Sequence, residues 1–432
     1  MTHFLETMKD QLTCQFERSP HGLARISALG ENTYTGQAAM SLARHFEENR
    51  GYDVEVRHCE TSKEVWASNG IGNEGKLFAY ANACSGSVEG HKKYWQRTHN
   101  DQMIRIVADV EHQISMCLCG MAGINPDEAT ILGSHPQGLL QCSNVGGRST
   151  VKTTGQVAIP EDRRGSLRGI VMHEGFESTE LALQAVAKRR DPTFLALGSH
   201  EAARANGLQI YIDDASNLPG ENFTRMRLLQ RHTKAASVLP FLPFHAIQFM
   251  LENNRGSLYR VLARVAEEGV NVVSIYSNPM TDQISRGQFL FELQATRGAN
   301  LVALEKALKS NPDLHNTLNW HSWADRVESK TTLPVRQYPK IEWKELHKKV
   351  TESYGAYKLM VILPNNIGSL SRTIQVIQEK HGNILEFNAL SIGHKKQVFE
   401  MLITFEQPMQ MRKVLDVLAS INELLAIDLE KK

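Results

Sequence analysis

Several features that mark specialised classes of protein are scarce or absent in this sequence. Its 432 residues include only six cysteines, and no stretch approaches the ~18 consecutive apolar residues that a transmembrane helix needs. The segment Met1–Pro20 lacks the apolar core of a secretory signal. The 48 basic residues nearly cancel the 47 acidic ones, so charge favours neither a nucleic acid nor a membrane as partner. We therefore expect a soluble, cytoplasmic protein.

Motifs for metals and for common cofactors are also missing. The 17 histidines are scattered, and Cys117 and Cys119 have neither the spacing of a redox pair nor that of a zinc knuckle. There is no phosphate-binding loop and no dinucleotide fingerprint. The sequence thus predicts a function that requires neither a metal nor a cofactor.

An internal repeat is the clearest feature that is present. The segment Asn253–Leu258 recurs at Asn365–Leu370, each copy lying between an apolar, strand-like run and a helical pattern of apolar residues. Two further strand-like runs, a helix and a final strand follow in both copies. The order β-α-β-β-α-β, found twice, predicts two ferredoxin-like units.

The remaining sequence is long enough for one α/β domain. Strand-like runs such as Arg25–Leu29 and Gln209–Ile212 alternate there with helical stretches such as Gln37–Glu48. The stretch 146–175 has no clear periodicity and is predicted to be a loop or hairpin inserted in this domain. We predict the following boundaries: an N-terminal extension at 1–22, the α/β domain at 23–238, the first repeat at 244–327, a linker at 328–345 and the second repeat at 346–432.

Short polar clusters lie at predicted turns of the α/β domain. Any one of them could simply cap a helix, because Ser, Thr and Asn are common there. Together, at the ends of strands in an open sheet, they would place amides and hydroxyls around one crevice, which suits an anionic small molecule. The clusters are residues 29–35 (LGENTYT), 82–88 (NACSGSV), 134–137 (SHPQ), 177–179 (EST) and 222–225 (NFTR).

These clusters, in this order, resemble motifs of the prephenate dehydratase family. Residues 29–39 (LGENTYTGQAA) resemble its opening motif, and residues 134–142 contain its SHPQ and QC. Residues 177–179 resemble its EST motif, and residues 222–225 are similar to its N-[FY]-T-R. The resemblance implies a two-lobed catalytic domain like a periplasmic binding protein, followed by an ACT regulatory domain and here a second ACT-like unit.

The implied activity is that of a carbon–oxygen lyase in L-phenylalanine biosynthesis. Such an enzyme converts prephenate, a dianion, into phenylpyruvate with loss of CO₂ and water, and it uses no cofactor. By the resemblance, Thr224 hydrogen-bonds or protonates the leaving hydroxyl, and Arg225 positions it or neutralises a carboxylate. The residues implied to bind substrate are Thr33, Thr35, Asn82, Ser87, His135, Gln137, Ser178, Thr179 and Asn222.

Departures from the family pattern leave two alternatives open. Ala81 stands where the family has a glutamate, and Met226 stands where it has a phenylalanine. One alternative is a prephenate decarboxylase-type lyase that yields a non-aromatic product. The other is an amino-acid sensor that has lost catalysis.

The repeats imply allosteric regulation by an amino acid, with L-phenylalanine as the expected effector. A glycine at a strand-to-helix turn lets backbone N–H groups approach a ligand carboxylate. ACT domains commonly pair edge to edge, inside one chain or across a dimer, and we expect a homodimer or homotetramer. The residues implied to bind the effector are Asn254, Gly256, Ser257, Leu258, Ser277, Asn278 and Pro279.

Overall fold

The computed structural model describes most of the chain, and the described residues form two compact units. The first unit consists largely of residues 23–231, and the second of residues 242–323 and 342–431. Among the described residues, no helix is both long and apolar enough to cross a membrane. The described ranges are 23–67, 73–84, 86–88, 103–151, 154–231, 242–252, 254, 256–279, 286–296, 298–323, 325–329, 342–350, 356–364, 366, 368–379, 382–392, 396–405, 409–419 and 426–431.

The first unit contains two β-sheets, and the first sheet has seven strands. Its strands are β1 (Arg25–Leu29), β2 (Glu55–Cys59), β3 (Glu74–Asn82), β4 (Gly86–Ser87), β5 (Ile104–Gln113), β12 (Phe223–Arg231) and β17 (Asp325–Ser329). They lie in the order β17-β5-β12-β3-β1-β2, with β4 paired to β3. Helices α1 (Tyr34–Arg50) and α2 (Ser62–Ala67) belong to this part of the chain.

The second sheet of this unit has six strands in the order β11-β6-β10-β7-β9-β8. These strands are β6 (Cys117–Gly120), β7 (Ile131–Ser134), β8 (Gly155–Ala158), β9 (Met172–Gly175), β10 (Phe194–Gly198) and β11 (Gln209–Ile212). The helices between them are α3 (Pro136–Gln141), α4 (Ser143–Gly146), α5 (Thr179–Arg189) and α6 (His200–Ala205), and two 3-10 turns lie at Pro126–Glu128 and Glu161–Arg163.

Helix α1 shows how the sequence specifies the core of the first sheet. Ala38, Ala39, Leu42 and Phe46 follow the helical period and are fully buried against the sheet. Burial of a side chain as large as Leu or Phe contributes about 1.5–3 kcal/mol to stability. The helix ends at Gly51, whose φ of 66° is the left-handed conformation that glycine adopts without strain.

The chain passes between the two sheets twice. Residues 114–116 connect β5 to β6, and residues 213–222 connect β11 to β12. The two connections contact each other, because the amide of Ile114 donates to the carbonyl of Asn222 over 2.6 Å and that of Ala215 donates to Met116 over 2.7 Å. Each sheet also has its own hydrophobic core, so the unit consists of two lobes joined by a double connection.

The second unit is one eight-stranded sheet with helices. The first repeat contributes β13 (Phe244–Glu252), α7 (Ser257–Glu267), β14 (Val270–Pro279), β15 (Arg286–Ala295), α8 (Leu301–Lys309) and β16 (Leu314–Trp323). The helix α9 (Trp343–Lys349) precedes the second repeat, which contributes β18 (Ala356–Pro364), α10 (Ser369–Glu379), β19 (Gly382–Ile392), β20 (Lys396–Phe405), α11 (Met409–Ala419) and β21 (Ala426–Lys431).

The two repeats pair with each other inside this unit. Strand β14 runs antiparallel to β19, with Ser274 opposite Leu390 and Tyr276 opposite Asn388. The sheet order is therefore β16-β13-β15-β14-β19-β20-β18-β21, and one hydrophobic core includes side chains of both repeats.

The predicted fold class is confirmed: a two-lobed α/β unit and two β-α-β-β-α-β repeats. In the stretch 146–175, β8 pairs antiparallel with β9, so this part of the chain is a hairpin. The predicted linker 328–345 overlaps the end of β17 and the beginning of α9. The domain boundaries stay predictions, and the predicted extension 1–22 lies outside the described residues.

Candidate active site

A β-bulge brings Asn82 and Thr224 to the same face of the first sheet. Met226 of β12 lies opposite Ala79 of β3, whereas Thr224 lies opposite Asn82, so Tyr80 is an extra residue in β3. Side chains alternate between the faces of a strand, and the extra residue reverses that alternation for the end of β3. Without the bulge, Asn82 would point away from Thr224.

The carboxamide of Asn82 hydrogen-bonds Thr224. Its Nδ2 donates to Thr224 Oγ1 over 3.0 Å and to Asn222 Oδ1 over 2.7 Å, with Phe223 O at 3.2 Å. The orientation of this amide is fixed, because the backbone N–H of Cys84 can only donate and lies 2.8 Å from Asn82 Oδ1. The nitrogen therefore faces Thr224.

The hydrogen of the Thr224 hydroxyl is available for a hydrogen bond to another group. Its oxygen already accepts from Asn82, and none of the described residues accepts the hydroxyl hydrogen. Thr224 is 7% exposed, so bulk water has little access to it. When a hydroxyl oxygen accepts a hydrogen bond, the hydroxyl becomes more polarised and donates its own hydrogen more strongly. Thr224 is thus prepared to donate a hydrogen bond.

A chain of amides extends from this pair to the second lobe. Asn222 is fully buried, and its Nδ2 donates to Gln141 Oε1 of α3 over 2.9 Å. Asn222 belongs to the second connection between the sheets. A further hydrogen bond, from Gln113 Nε2 to Gly220 O over 2.9 Å, attaches this connection to the end of β5. Thr224 therefore lies where the two lobes and their connections meet.

Arg225 leaves the opposite face of β12 and has a different environment. Its Nε lies 3.1 Å from Glu111 Oε2 of β5, and the two side chains are 2% and 4% exposed. Arg227 repeats this arrangement with Asp109 at 2.9 Å. A buried charge requires a partner, and Glu111 provides one for Arg225. The positive charge of Arg225 is therefore already compensated within the sheet.

Two helix N-termini approach each other beside these residues. Asn32, just before α1, has its Nδ2 3.4 Å from Glu180 Oε1 in the first turn of α5. Thr33 caps α1 by accepting from Gly36 N over 3.1 Å, and Ser178 caps α5 by accepting from Leu181 N over 3.1 Å. The positive ends of two helix dipoles thus lie at one place, where an anion is stabilised.

Tyr34 connects the first turn of α1 to the connection between the lobes. Its hydroxyl donates to the carbonyl of Ser115 over 2.7 Å. Burial raises the pKa of Tyr34 well above its ordinary value of 10, so the phenol stays protonated and keeps this bond. The hydrogen bond holds the N-terminus of α1 close to Thr224's part of the sheet.

Comparison with known proteins agrees with this arrangement of motifs. The model of the prephenate dehydratase family matches residues 26–152, which include Asn82 and end before Thr224. A prephenate dehydratase from Methanocaldococcus jannaschii is 24% identical over 66% of this chain and 92% of its own length. Part of the chain therefore matches the prephenate dehydratase family, and the chain is similar in sequence to a member of that family.

Other similar proteins include members of this family from plants and bacteria. Arogenate dehydratase/prephenate dehydratase 2 of Arabidopsis thaliana is 28% identical over 46% of this chain, which spans 45% of that relative's length. A solved structure of a prephenate dehydratase from Arthrobacter aurescens, in complex with L-Phe, is 18% identical, covers 70% of this chain and 90% of its own, and has a TM-score of 0.48.

The remaining residues that the family resemblance implied in substrate binding fall into two groups. Thr35 is buried in the first turn of α1, and Thr179 begins α5, so both lie at the paired helix N-termini. His135 caps α3 by accepting from Gln137 N over 3.2 Å, and Gln137 Oε1 is buried with no hydrogen-bond partner in the part of the chain that the structure describes. Ser87 lies in β4 opposite Ala81, and its side chain lies outside the described residues.

The residues implied in effector binding lie in the second unit, in the turn before α7 and at the end of β14. Gly256 has a φ of 91°, which glycine adopts without strain, and the amide of Ser257 donates to Asn254 O over 3.1 Å. Leu258 is part of the hydrophobic core. Ser277, Asn278 and Pro279 belong to β14, and the side chains of the last two lie outside the described residues.

Sequence reasoning missed Glu111 and Gln141 as parts of the site. Gln141 stands in the QC motif, yet only the structure shows that its amide supports Asn222. Glu111 and Asp109 alternate along β5 as Arg225 and Arg227 alternate along β12. Among the described residues, no cluster of three or more His, Cys, Asp or Glu side chains could hold a metal ion.

Proposed function

We propose that the chain is a prephenate dehydratase whose catalytic donor is Thr224. The single observation that carries this proposal is the Asn82–Thr224 hydrogen bond, which leaves the threonine proton available at the junction of two lobes. The match of residues 26–152 to the prephenate dehydratase family and the order of the polar motifs support the same substrate. The enzyme is then a carbon–oxygen lyase.

The reaction requires little from the protein beyond positioning and electrostatics. The bond from the ring to its carboxylate breaks, and the electron pair enters the ring as CO₂ departs. The bond between the ring carbon and the hydroxyl oxygen breaks. The leaving oxygen keeps the electron pair of this second bond and takes up a proton, which makes it water. Aromatisation drives both steps, so a donor to the leaving oxygen lowers the barrier.

Each group of residues has a role in this proposal. Thr224 donates to the leaving oxygen, and Asn82, Asn222 and Gln141 hold and polarise that hydroxyl. Thr33, Thr35, Ser178 and Thr179 lie at the paired helix N-termini, where backbone amides and the hydroxyls of the last three provide donors for the two carboxylates. The Thr33 hydroxyl donates to Gly30 O and shapes the turn instead. Arg225, paired with Glu111, supports the strand that carries Thr224 and does not neutralise a substrate carboxylate directly.

Regulation by L-phenylalanine at the turn before α7 is part of the same proposal. The left-handed glycine at 256 forms the turn at the N-terminus of an 11-residue helix, and the positive end of a helix dipole suits an amino-acid carboxylate. Assembly into a homodimer or homotetramer stays a prediction, for light scattering to measure.

Incubation of the purified chain with prephenate tests the proposal. We expect the ultraviolet absorbance of phenylpyruvate to appear. The rate of its appearance should change when L-phenylalanine is added. Thr224→Ala should lower kcat about 10²-fold, because one such donor contributes about 3 kcal/mol to the transition state, and Thr224→Ser should restore most of it. Loss of CO₂ without an aromatic product would point to a decarboxylase, and unchanged prephenate would leave only a sensor.

A further inference from the structure

His112 lies beside Thr224 on the first sheet. The hydrogen bond from Ile114 N to Asn222 O and the pairing of Glu111 with Arg225 set the register of β5 against β12 and place His112 opposite Thr224. Val110 of β5 and Met226 of β12 both enter the core below α1, so His112 and Thr224, two residues further along, share that face. Residues directly opposite on antiparallel strands have Cβ atoms about 4.5–5.5 Å apart.

The imidazole of His112 has one nitrogen without a hydrogen-bond partner among the described residues. Its Nε2 lies 3.3 Å from Gln37 Oε1, and with this oxygen facing the ring, the ring proton is assigned to Nε2, because a carbonyl oxygen only accepts. The Nε2 of Gln37 is buried and also has no partner among the described residues, so the assignment rests on the orientation of this amide. Nδ1 therefore carries a lone pair, and it is buried with no hydrogen-bond partner among the described residues. Polar atoms buried in this way are uncommon in folded proteins, and each one calls for a reason.

The ring is also held in its neutral form. His112 is 5% exposed, and burial lowers its pKa to about 4, although Glu201 acts in the opposite direction. At neutral pH, Nδ1 is consequently an acceptor and not a donor. It suits a ligand group that presents a hydrogen and suits neither a carboxylate nor a keto oxygen.

We propose that His112 is a further catalytic residue, whose Nδ1 accepts a hydrogen bond from the ring hydroxyl of prephenate while Thr224 donates to the oxygen of that hydroxyl. This inference rests on the proposed dehydratase function. With both carboxylates ionised, the ring hydroxyl is the one hydrogen-bond donor that prephenate has. The acceptor fixes the hydroxyl hydrogen, so that an oxygen lone pair faces Thr224 before the carbon–oxygen bond breaks.

A purely structural role for His112 predicts a different outcome. An apolar side chain of similar size removes the buried Nδ1, which costs stability, and also the Nε2 bond to Gln37, which contributes to stability, so the two effects oppose each other. If the role is purely structural, the turnover of the folded variant stays at the wild-type value. A catalytic role predicts that the turnover of the folded variant falls.

The full chain with His112→Leu or His112→Asn distinguishes the two. We expect His112→Leu to lower the kcat of the folded chain about 10-fold or more, with a smaller change in KM. His112→Asn retains an acceptor near the position of Nδ1 and should recover most of the activity. If His112→Leu does not fold, His112→Phe fills the same space and carries the same expectation.

Two results would overturn this inference. Wild-type kcat in a folded His112→Leu or His112→Phe chain would remove the catalytic role, as would equal losses in the Asn and the apolar variants. If the wild-type chain converts prephenate and the apolar variants match it, only the role of His112 fails. If the wild-type chain leaves prephenate unchanged, the dehydratase proposal fails and the inference fails with it.

Discussion

Replacing Asn82 with aspartate tests whether the amide chain prepares Thr224. Aspartate has the same shape as asparagine, but it places a hydrogen-bond acceptor where Asn82 has a donor. A carboxylate oxygen replaces the Nδ2 that now faces Asn222 Oδ1 at 2.7 Å and Thr224 Oγ1 at 3.0 Å. Gln141 holds the Asn222 amide in its present orientation, so the introduced oxygen meets another acceptor there. The Thr224 hydroxyl can still rotate and donate to the new charge, and its proton is then unavailable to substrate.

The magnitude follows from these contacts. The hydrogen bonds from Nδ2 to Asn222 Oδ1 and to Phe223 O are lost at about 1 kcal/mol each, and a charge is left in a site where Asn82 is 1% exposed. We expect Asn82→Asp to lower the free energy of unfolding by about 3 kcal/mol or more at neutral pH, and to lower kcat at least 10²-fold. Burial raises the pKa of the introduced carboxyl in the folded state above about 3.9, its unfolded value. The loss of stability should therefore shrink as the pH falls towards 4.

Urea denaturation near pH 7 and pH 5 and steady-state conversion of prephenate measure the two effects. Asn206→Asp is a matched control, because Asn206 Nδ2 makes a single bond of 2.8 Å to Ala202 O at the end of α6, away from Thr224. It should leave kcat unchanged. Wild-type kcat in a folded Asn82→Asp chain would show that Thr224 does not depend on this amide.

Two further predictions concern buried charged and titratable groups. Arg225→Met should cost about 3–5 kcal/mol of stability because it leaves Glu111 buried without its partner. Arg225→Met with Glu111→Met should recover most of that loss in chemical denaturation, and equal losses in the single and double variants would contradict the pairing. Burial lowers the pKa of His245 from 6.5 to about 4, so the unfolded chain binds a proton first on acidification. The stability difference between the wild type and His245→Phe should therefore be constant above pH 6.5 and move against the wild type as the pH falls towards 4, as measured by urea denaturation; a difference independent of pH would refute this.

The sequence allowed some elements to be predicted closely and left others unseen. Strands β1 and β11 have the predicted bounds, since Arg25–Leu29 and Gln209–Ile212 are short runs in which most residues are apolar. The repeats were predictable because each conserves both its glycine turn and its apolar periodicity. Strands β3, β5 and β12, which carry the site, were not predicted. One face of β5 and β12 buries Asp109, Glu111, Arg225 and Arg227, and in a single sequence such alternating charges look like a solvated surface.

The candidate site was predictable as a set of motifs and not as a geometry. The resemblance pointed to Asn82 and Thr224, but their contact depends on a bulge at Tyr80. The residue types around Tyr80 do not predict this bulge. The prediction that Arg225 positions the leaving hydroxyl or neutralises a carboxylate did not include Glu111, because pairing across strands depends on a register that one sequence does not reveal. His112 escaped notice because an isolated histidine in a strand most often belongs to a packed core.

The pairing of β14 with β19 has a consequence for any shortened form of the protein. Removal of the residues from 342 onwards would leave the backbone N–H and C=O groups of Ser274–Tyr276 without their partners. An uncovered strand edge of this kind recruits other strands, from a second copy or from an aggregate. The second repeat thus covers the edge strand β14 of the first. When the first repeat is expressed separately, we expect it to self-associate and not to remain an isolated domain.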